Sequence, residues 1–119
     1  MTDSLYERLG GTAGIEKIAS HLVDNHLNNP VVAPRFEGSD AATVKKSVAE
    51  FFIAGSGGPD VYKGQDMVSA HRHMNISDNE FMAAVDDAMA ALTSCGIGDR
   101  EKGEVLFILY SLRPQVVRL

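Results

Sequence analysis

The residues best placed to do chemistry lie in Met67-Val68-Ser69-Ala70-His71-Arg72-His73-Met74-Asn75-Ile76. At helical spacing Met67, Ala70, His71 and Met74 share one face, which sets His71 in the middle of an apolar stripe. An imidazole drawn inside must have both ring nitrogens satisfied, by hydrogen bonds, a proton or a metal. Taken alone, such a histidine is more often a satisfied core residue than a ligand. Neutral imidazole is nevertheless the commonest metal ligand in proteins. His73 lies two residues on, about 200° around a helix, so the pair cannot grip one ion from one face. His73 and Arg72 are expected at the solvent edge.

Other groupings carry less. Gly57-Gly58-Pro59 lacks the lysine and the helix start that a phosphate loop needs, and there is no nucleophile elbow or His-Glu-x-x-His pair. Asp86-Asp87 is expected on a solvated helix face rather than in acid–base work. Cys95 is the single cysteine, which excludes an intrachain disulfide and a thiolate cluster and suits a reducing, cytoplasmic setting. A net charge of -5 leaves no basic excess to neutralise phosphates, so no nucleic-acid partner is expected. No stretch approaches the roughly 18 apolar residues that span a bilayer, so no membrane insertion is expected. The opening Met1-Thr2-Asp3-Ser4 lacks the basic and apolar regions of a signal peptide. A chain of 119 residues, 45% apolar and 23% charged, is expected to form one soluble domain over 1–119.

The elements that must position His71 are helical. Leu5 and Leu9 mark a short first piece, stopped by Gly10-Gly11. Thr12 is expected to cap the next helix, whose Ile15, Ile18, Ala19, Leu22, Val23 and Leu27 follow the 3.6 period to Asn28-Asn29-Pro30. Pro34 limits residues 31–36 to a single turn or extended piece. Ser39-Asp40 opens a third helix with Ala41, Val44, Val48, Phe51 and Phe52 inward, ended at Gly57-Gly58-Pro59. After the His71 helix, expected to run to about Asn75, Ser77-Asp78-Asn79-Glu80 has the form of a capping box. It leads into Phe81, Ala84, Val85, Ala88, Met89 and Leu92. Gly96 and Gly98-Asp99 precede a last helix with Val105, Leu106, Leu109 and Leu112 inside. Alternation typical of strands is absent, and short loops imply antiparallel neighbours. The fold class is all-α.

A lone inward histidine facing helices lined by Val, Ile, Leu, Phe and Met suits a flat, apolar, iron-centred macrocycle. Haem iron takes one neutral imidazole nitrogen, while the other nitrogen typically donates to a carbonyl that fixes the ring. Lys45, Lys46 and Arg72 flank the inferred pocket, where they either meet the haem propionates or are ordinary solvated cations.

Over nearly its whole length the chain resembles the truncated haemoglobins, most closely group I. The resemblance rests on Tyr6-Glu7-Arg8-Leu9-Gly10-Gly11, Phe36-Glu37-Gly38, Glu50-Phe51-Phe52, Gly57-Gly58-Pro59 with Tyr62-Lys63-Gly64, and His71 followed by Ile76. It implies a two-over-two helical sandwich around haem b with His71 as the proximal iron ligand. It also implies that Phe36 packs on the haem, that Val44, Val48, Phe51 and Phe52 line the distal side, and that Met67, Ile76 and Phe81 touch the porphyrin.

The chain departs from the group I pattern at the distal side. Aligning through both glycine motifs puts Val23 where many members carry a tyrosine, and Val44 and Val48 where polar groups are usual. Ser47 stands where some relatives carry a coordinating histidine or lysine. The expectation is a distal pocket poor in hydrogen-bond donors. A donor to bound dioxygen contributes roughly 1.5–3 kcal/mol, about ten- to a hundredfold in affinity, so its loss speeds oxygen release and favours carbon monoxide and nitric oxide in relative terms. Ser47, His26 and Tyr110 are the candidates to compensate, and His26, Lys46 and Ser47 the places for an internal sixth ligand.

The function implied is reversible binding of diatomic gases for oxygen or nitric oxide handling. The alternatives are a gas sensor or a nitric oxide dioxygenase served by a reductase and, in a different class, a haem-free helical interaction module.

Overall fold

The computed structural model describes residues 3–64, 66–72 and 74–118. Among the described residues there are six α-helices: α1 (Leu5–Arg8), α2 (Gly11–Asn28), α3 (Ala41–Gly55), α4 (Met67–His71), α5 (Asp78–Ser94) and α6 (Asp99–Ser111). Short 3-10 turns at Ala33–Phe36 and Arg113–Gln115 complete them. Among the described residues, extended pairing is limited to an isolated bridge between Ile76 and Val117. The all-α expectation holds.

The helix starts follow local chemistry. Ser4 and Glu7 close a capping box on α1, Asp40 accepts from the Thr43 amide at the head of α3, and Ser77 and Glu80 form the box that opens α5. Thr12 does not cap α2. Gly10 takes that position with φ +99, a left-handed backbone that L side chains rarely adopt. The Thr12 hydroxyl instead pairs with the Tyr6 hydroxyl at 2.6 Å.

α2 is the spine, packed against α3 on one side and α5 on the other. Its Ile15, Ile18, Leu22 and Val23 join Leu5, Leu9, Ile53, Ala88, Ala91, Leu92 and Val105 in the main core. The face of α3 that is fully buried is Ala49 and Ile53, not the expected stripe of Val44, Val48, Phe51 and Phe52, which is only half-buried. In α6 Val105 is buried as expected, but Leu106 is exposed and Leu109 and Leu112 are half-buried.

The two glycine motifs meet in space. The Tyr6 amide donates to the Ser56 carbonyl at 2.9 Å, and a Cβ on Gly58 would come within 2.4 Å of the Tyr6 ring. Only a residue without a side chain fits there, so Gly58 lets α1 lie across the end of α3. A second cluster, Ile76, Phe81 and Val85 with Met74, Val116 and Val117 against it, closes the end of the molecule near α4. There the Arg118 amide donates to the Ile76 carbonyl at 2.8 Å, and Arg113 and Arg118 pair with Asp78.

Candidate functional site

α4 is one turn and a half, too short to be stable on its own propensity. Asp66 starts it by accepting from the Ser69 amide at 3.3 Å. It stops at His71, because Arg72 adopts ψ 136 and turns the chain away. The expected continuation to about Asn75 is therefore not found. Met74 does not extend the stripe but packs with Ile76, Phe81 and Val85. His73 lies outside the described residues.

The helix sets His71 at the wall of a cavity of about 420 Å³, within the size range of small-molecule and cofactor sites. α4 contributes Met67, Ala70 and His71, and α3 contributes Ser47, Val48, Phe51 and Phe52. Leu22 and His26 come from α2, Phe36 from the first 3-10 turn, and Phe81, Ala84, Val85 and Ala88 from α5. Tyr62, Leu109, Leu112 and Val116 complete the lining. The wall is predominantly apolar, and α3 and α4 face each other across it.

The His71 ring is already in the form a metal needs. Its Nδ1 lies 2.8 Å from the Met67 carbonyl oxygen. A carbonyl only accepts, so Nδ1 carries the proton and donates. In the neutral ring the Nε2 lone pair is then left bare, on a side chain that lines the cavity. This is the arrangement in which a backbone carbonyl fixes the tautomer and orientation of a ligating imidazole.

Several expected site residues lie elsewhere. Val23 is 1% exposed and belongs to the main core, with Val44 packed against that core; neither lines the cavity. Ile76 is buried in the second cluster rather than on the cavity wall. Lys45 pairs with Asp24 at 2.9 Å, and with Lys46 it borders a different depression, formed with Thr12, Glu16, Ala49 and Glu50. The expected approach of these two lysines to the cavity rim is not seen. Arg72 is exposed beside His71, and among the described residues it makes no ion pair. Tyr110 is half exposed and meets Phe81 edge-on at 6.2 Å between ring centroids.

Two polar residues enter the lining that the distal-side expectation did not assign to it. Tyr62 sits edge-on to Phe51 at 5.5 Å. His26, considered as a compensator and as a place for an internal sixth ligand, is 8% exposed and stacks on Phe36 with ring centroids 5.5 Å apart and planes 14° apart. Its Nδ1 is 2.7 Å from Asp87 Oδ2. Asp87 is thus no solvated helix-face acid: Asn29 donates to both its carboxylate oxygens and Asn25 to its backbone carbonyl. Asp86, its neighbour, is exposed as expected. The signal for His26 was its place on the inner face of α2, one turn after Leu22.

Comparison with known proteins agrees with this geometry. The model of the bacterial-like globins matches residues 4–117. The chain belongs to that family. Among its relatives, a group 1 truncated hemoglobin of Mycolicibacterium paratuberculosis is 27% identical, over 95% of this chain and 83% of that one. One from Tetrahymena thermophila is also 27% identical, over 92% and 91%. The crystal structure of Tetrahymena pyriformis truncated hemoglobin in its Fe(III) form superposes with a TM-score of 0.94 at 26% identity, covering 98% of this chain and all of that one. A 2/2 hemoglobin from Synechococcus gives a TM-score of 0.87 at 26% identity over 95% of each chain. The fold of this globin is the 2/2 sandwich, its cofactor is haem, and its general activity is haem-based gas binding. No helix among the described residues is long and apolar enough to cross a membrane.

Proposed function

We propose that this globin, as a single domain, holds haem b through His71 Nε2 and reversibly binds dioxygen, nitric oxide and carbon monoxide without long retention of oxygen. The observation that carries the proposal is the His71 tautomer, fixed by the Met67 carbonyl, on the wall of an apolar cavity of about 420 Å³. Haem, when bound, supplies the iron that takes the gas. His71 anchors it, Phe36, Phe51 and Phe52 offer flat and edge-on apolar contact, and Met67 and Phe81 shape the walls. Arg72, exposed next to the anchor, is the cation suited to a propionate.

Weak oxygen retention is supported by the α3 wall, where Val48, Phe51 and Phe52 offer no hydrogen-bond donor. The Ser47 side chain is on the lining, but the residue is exposed. A carrier or sensor of carbon monoxide or nitric oxide fits this wall better than a nitric oxide dioxygenase, which needs oxygen to remain bound.

The test is the visible spectrum of purified protein with haem stoichiometry, for the wild type and His71→Ala. One haem per chain with an axial-imidazole spectrum is expected, lost in the variant while far-ultraviolet dichroism of the apoprotein stays unchanged. A variant that keeps haem with the same axial spectrum overturns the anchor. A wild type that takes up no haem overturns the whole reading and leaves the interaction module.

A further inference from the structure

His71 is not the only imidazole presented to the cavity. His26 is built the same way from a different partner: Nδ1 is taken by a side chain, Nε2 is not. A carboxylate oxygen accepts, so the 2.7 Å contact places a proton on His26 Nδ1, and in the neutral ring the lone pair is then on Nε2. Among the described residues Nε2 has no hydrogen-bond partner, and the ring lines the cavity. Phe36 covers one face of the ring, nearly parallel at 5.5 Å, so its orientation is fixed from the side as well as from behind.

The support behind it is unusually complete for a ring whose role is only to fill space. Asp87 reaches from α5 to the end of α2 and is held by both Asn29 contacts, at 3.1 and 3.2 Å. Among the described residues no lysine or arginine pairs with Asp87. On α3 Lys45 is committed to Asp24, and Lys46 and Glu50 border a separate depression; on α1, which also packs on α2, Arg8 is committed to Glu101 and Glu104. On the first 3-10 turn Arg35 is committed to Glu80. Among the described residues Asp87 is the charged group in contact with the His26 ring, placed to balance a positive charge the ring acquires.

We propose that His26, positioned by Asp87, is the proton acceptor of the cavity, and that it selects for ligands that arrive as neutral weak acids and bind as anions, such as hydrogen cyanide, hydrogen sulfide and hydrogen peroxide. The step is H–X plus His26 Nε2 giving X⁻ plus protonated His26: the H–X bond breaks, its electron pair stays on X, and the proton forms the Nε2–H bond. No oxidant or reductant is needed. The anion is left in the cavity to coordinate, and the new Nε2–H donates to it. Diatomic gases have no proton to give and gain nothing from this group. The inference rests on the haem reading above for the anion's destination, but not for the state of the ring.

Two measurements test it. In the haem-free protein, nitrogen-15 NMR of the histidines is expected to show His26 protonated at Nδ1 and bare at Nε2. A ring protonated at Nε2 instead overturns the proposal whether or not haem binds. In the ferric haem-loaded protein, cyanide at pH 7, where it is almost wholly the neutral acid, is mixed with wild type, His26→Gln and Asp87→Asn. His26→Gln, which keeps a partner for Asp87, is expected to slow association at least tenfold, and Asp87→Asn to slow it severalfold. Carbon monoxide association to the ferrous forms is expected to change less than twofold. Cyanide rates within twofold of wild type in both variants, with the Soret band intact, overturn the role of His26 and leave the haem reading standing. Equal slowing of cyanide and carbon monoxide also overturns it, since that marks a change of access rather than of proton transfer.

Discussion

The molecule has two apolar regions built from the same kinds of residues with opposite outcomes. Around α2, residues such as Ile15, Val23 and Leu92 are 1%, 1% and 2% exposed, interlocked with Leu9, Ala91 and Val105. Between α3 and α4, residues no less apolar, including Val48, Phe51, Phe52 and Met67, are only half-buried around a cavity. The difference is geometric. α2 runs 18 residues and presents ridges to neighbours along its length, whereas α4 runs five and ends at His71. A helix so short cannot fill the groove opposite it. Closely packed interiors tolerate few voids, so an apolar wall left this open marks a place meant to be filled by something other than protein.

The sharpest way to break the comparison is to cut one residue on each side. Leu92→Ala in the closed region is expected to destabilise the protein by about 2–5 kcal/mol, read by urea unfolding of the haem-free protein. Phe51→Ala in the open region is expected to cost less in the same measurement, because its ring is only half-buried and so has less apolar area to return to water. Its effect is expected in faster haem loss. Comparable costs for the two would mean that the open region is closed in solution.

Filling the open region sharpens the contrast from the other side. Haem at one hundred times its dissociation constant is expected to add roughly 2.7 kcal/mol. Hydrogen exchange should show the added protection concentrated in α3 and α4 amides, with those of α2 nearly unchanged. A smaller loss is expected from Gly58→Ala. The added methyl meets the Tyr6 ring, and overpacking of this kind costs about 1–3 kcal/mol. The variant should lower haem-free stability without altering the spectrum of the bound haem.

The smallest effect concerns a strut beside the cavity. Arg35 Nε and an Nη grip both oxygens of Glu80 at 2.6 and 2.9 Å. Chiefly through those bonds, and with the Ser77 amide, the Glu80 carboxyl is held down at about 2 from its ordinary 4.5. A lowered carboxylate contributes stability that is fully present above the unfolded value and is lost as pH falls through the folded one. The contribution is therefore intact above about pH 4.5 and disappears toward pH 2. Because the pair is partly exposed, Glu80→Gln is expected to cost about 1 kcal/mol or less near pH 7. It should also flatten that part of the acid limb of the stability curve.

Much of this molecule could be read along the chain, because its information is local. The helices of α2, α3, α5 and α6 follow from a 3.6-residue apolar period, and the starts at Asp40 and Ser77 from side chains that satisfy free amides a turn away. His71 stood out because one polar ring interrupts an apolar stripe. Two local readings failed for reasons of competition. Thr12 lost its capping role to a Tyr6 hydroxyl that comes from another helix, and the α4 stripe was cut short at Arg72 although Met74 kept the period.

What the chain order by itself determined was therefore the class of fold, the spacing of its helices and the histidine that faces inward. Tertiary structure alone decided which side of α3 meets α2 and which meets the cavity, since that helix is apolar on both. It also decided that Asp87 stands behind His26, a contact across 61 positions that no periodicity encodes. Helical pattern fixes a side chain's direction around its own axis; only the packing of one axis on another fixes what lies in that direction.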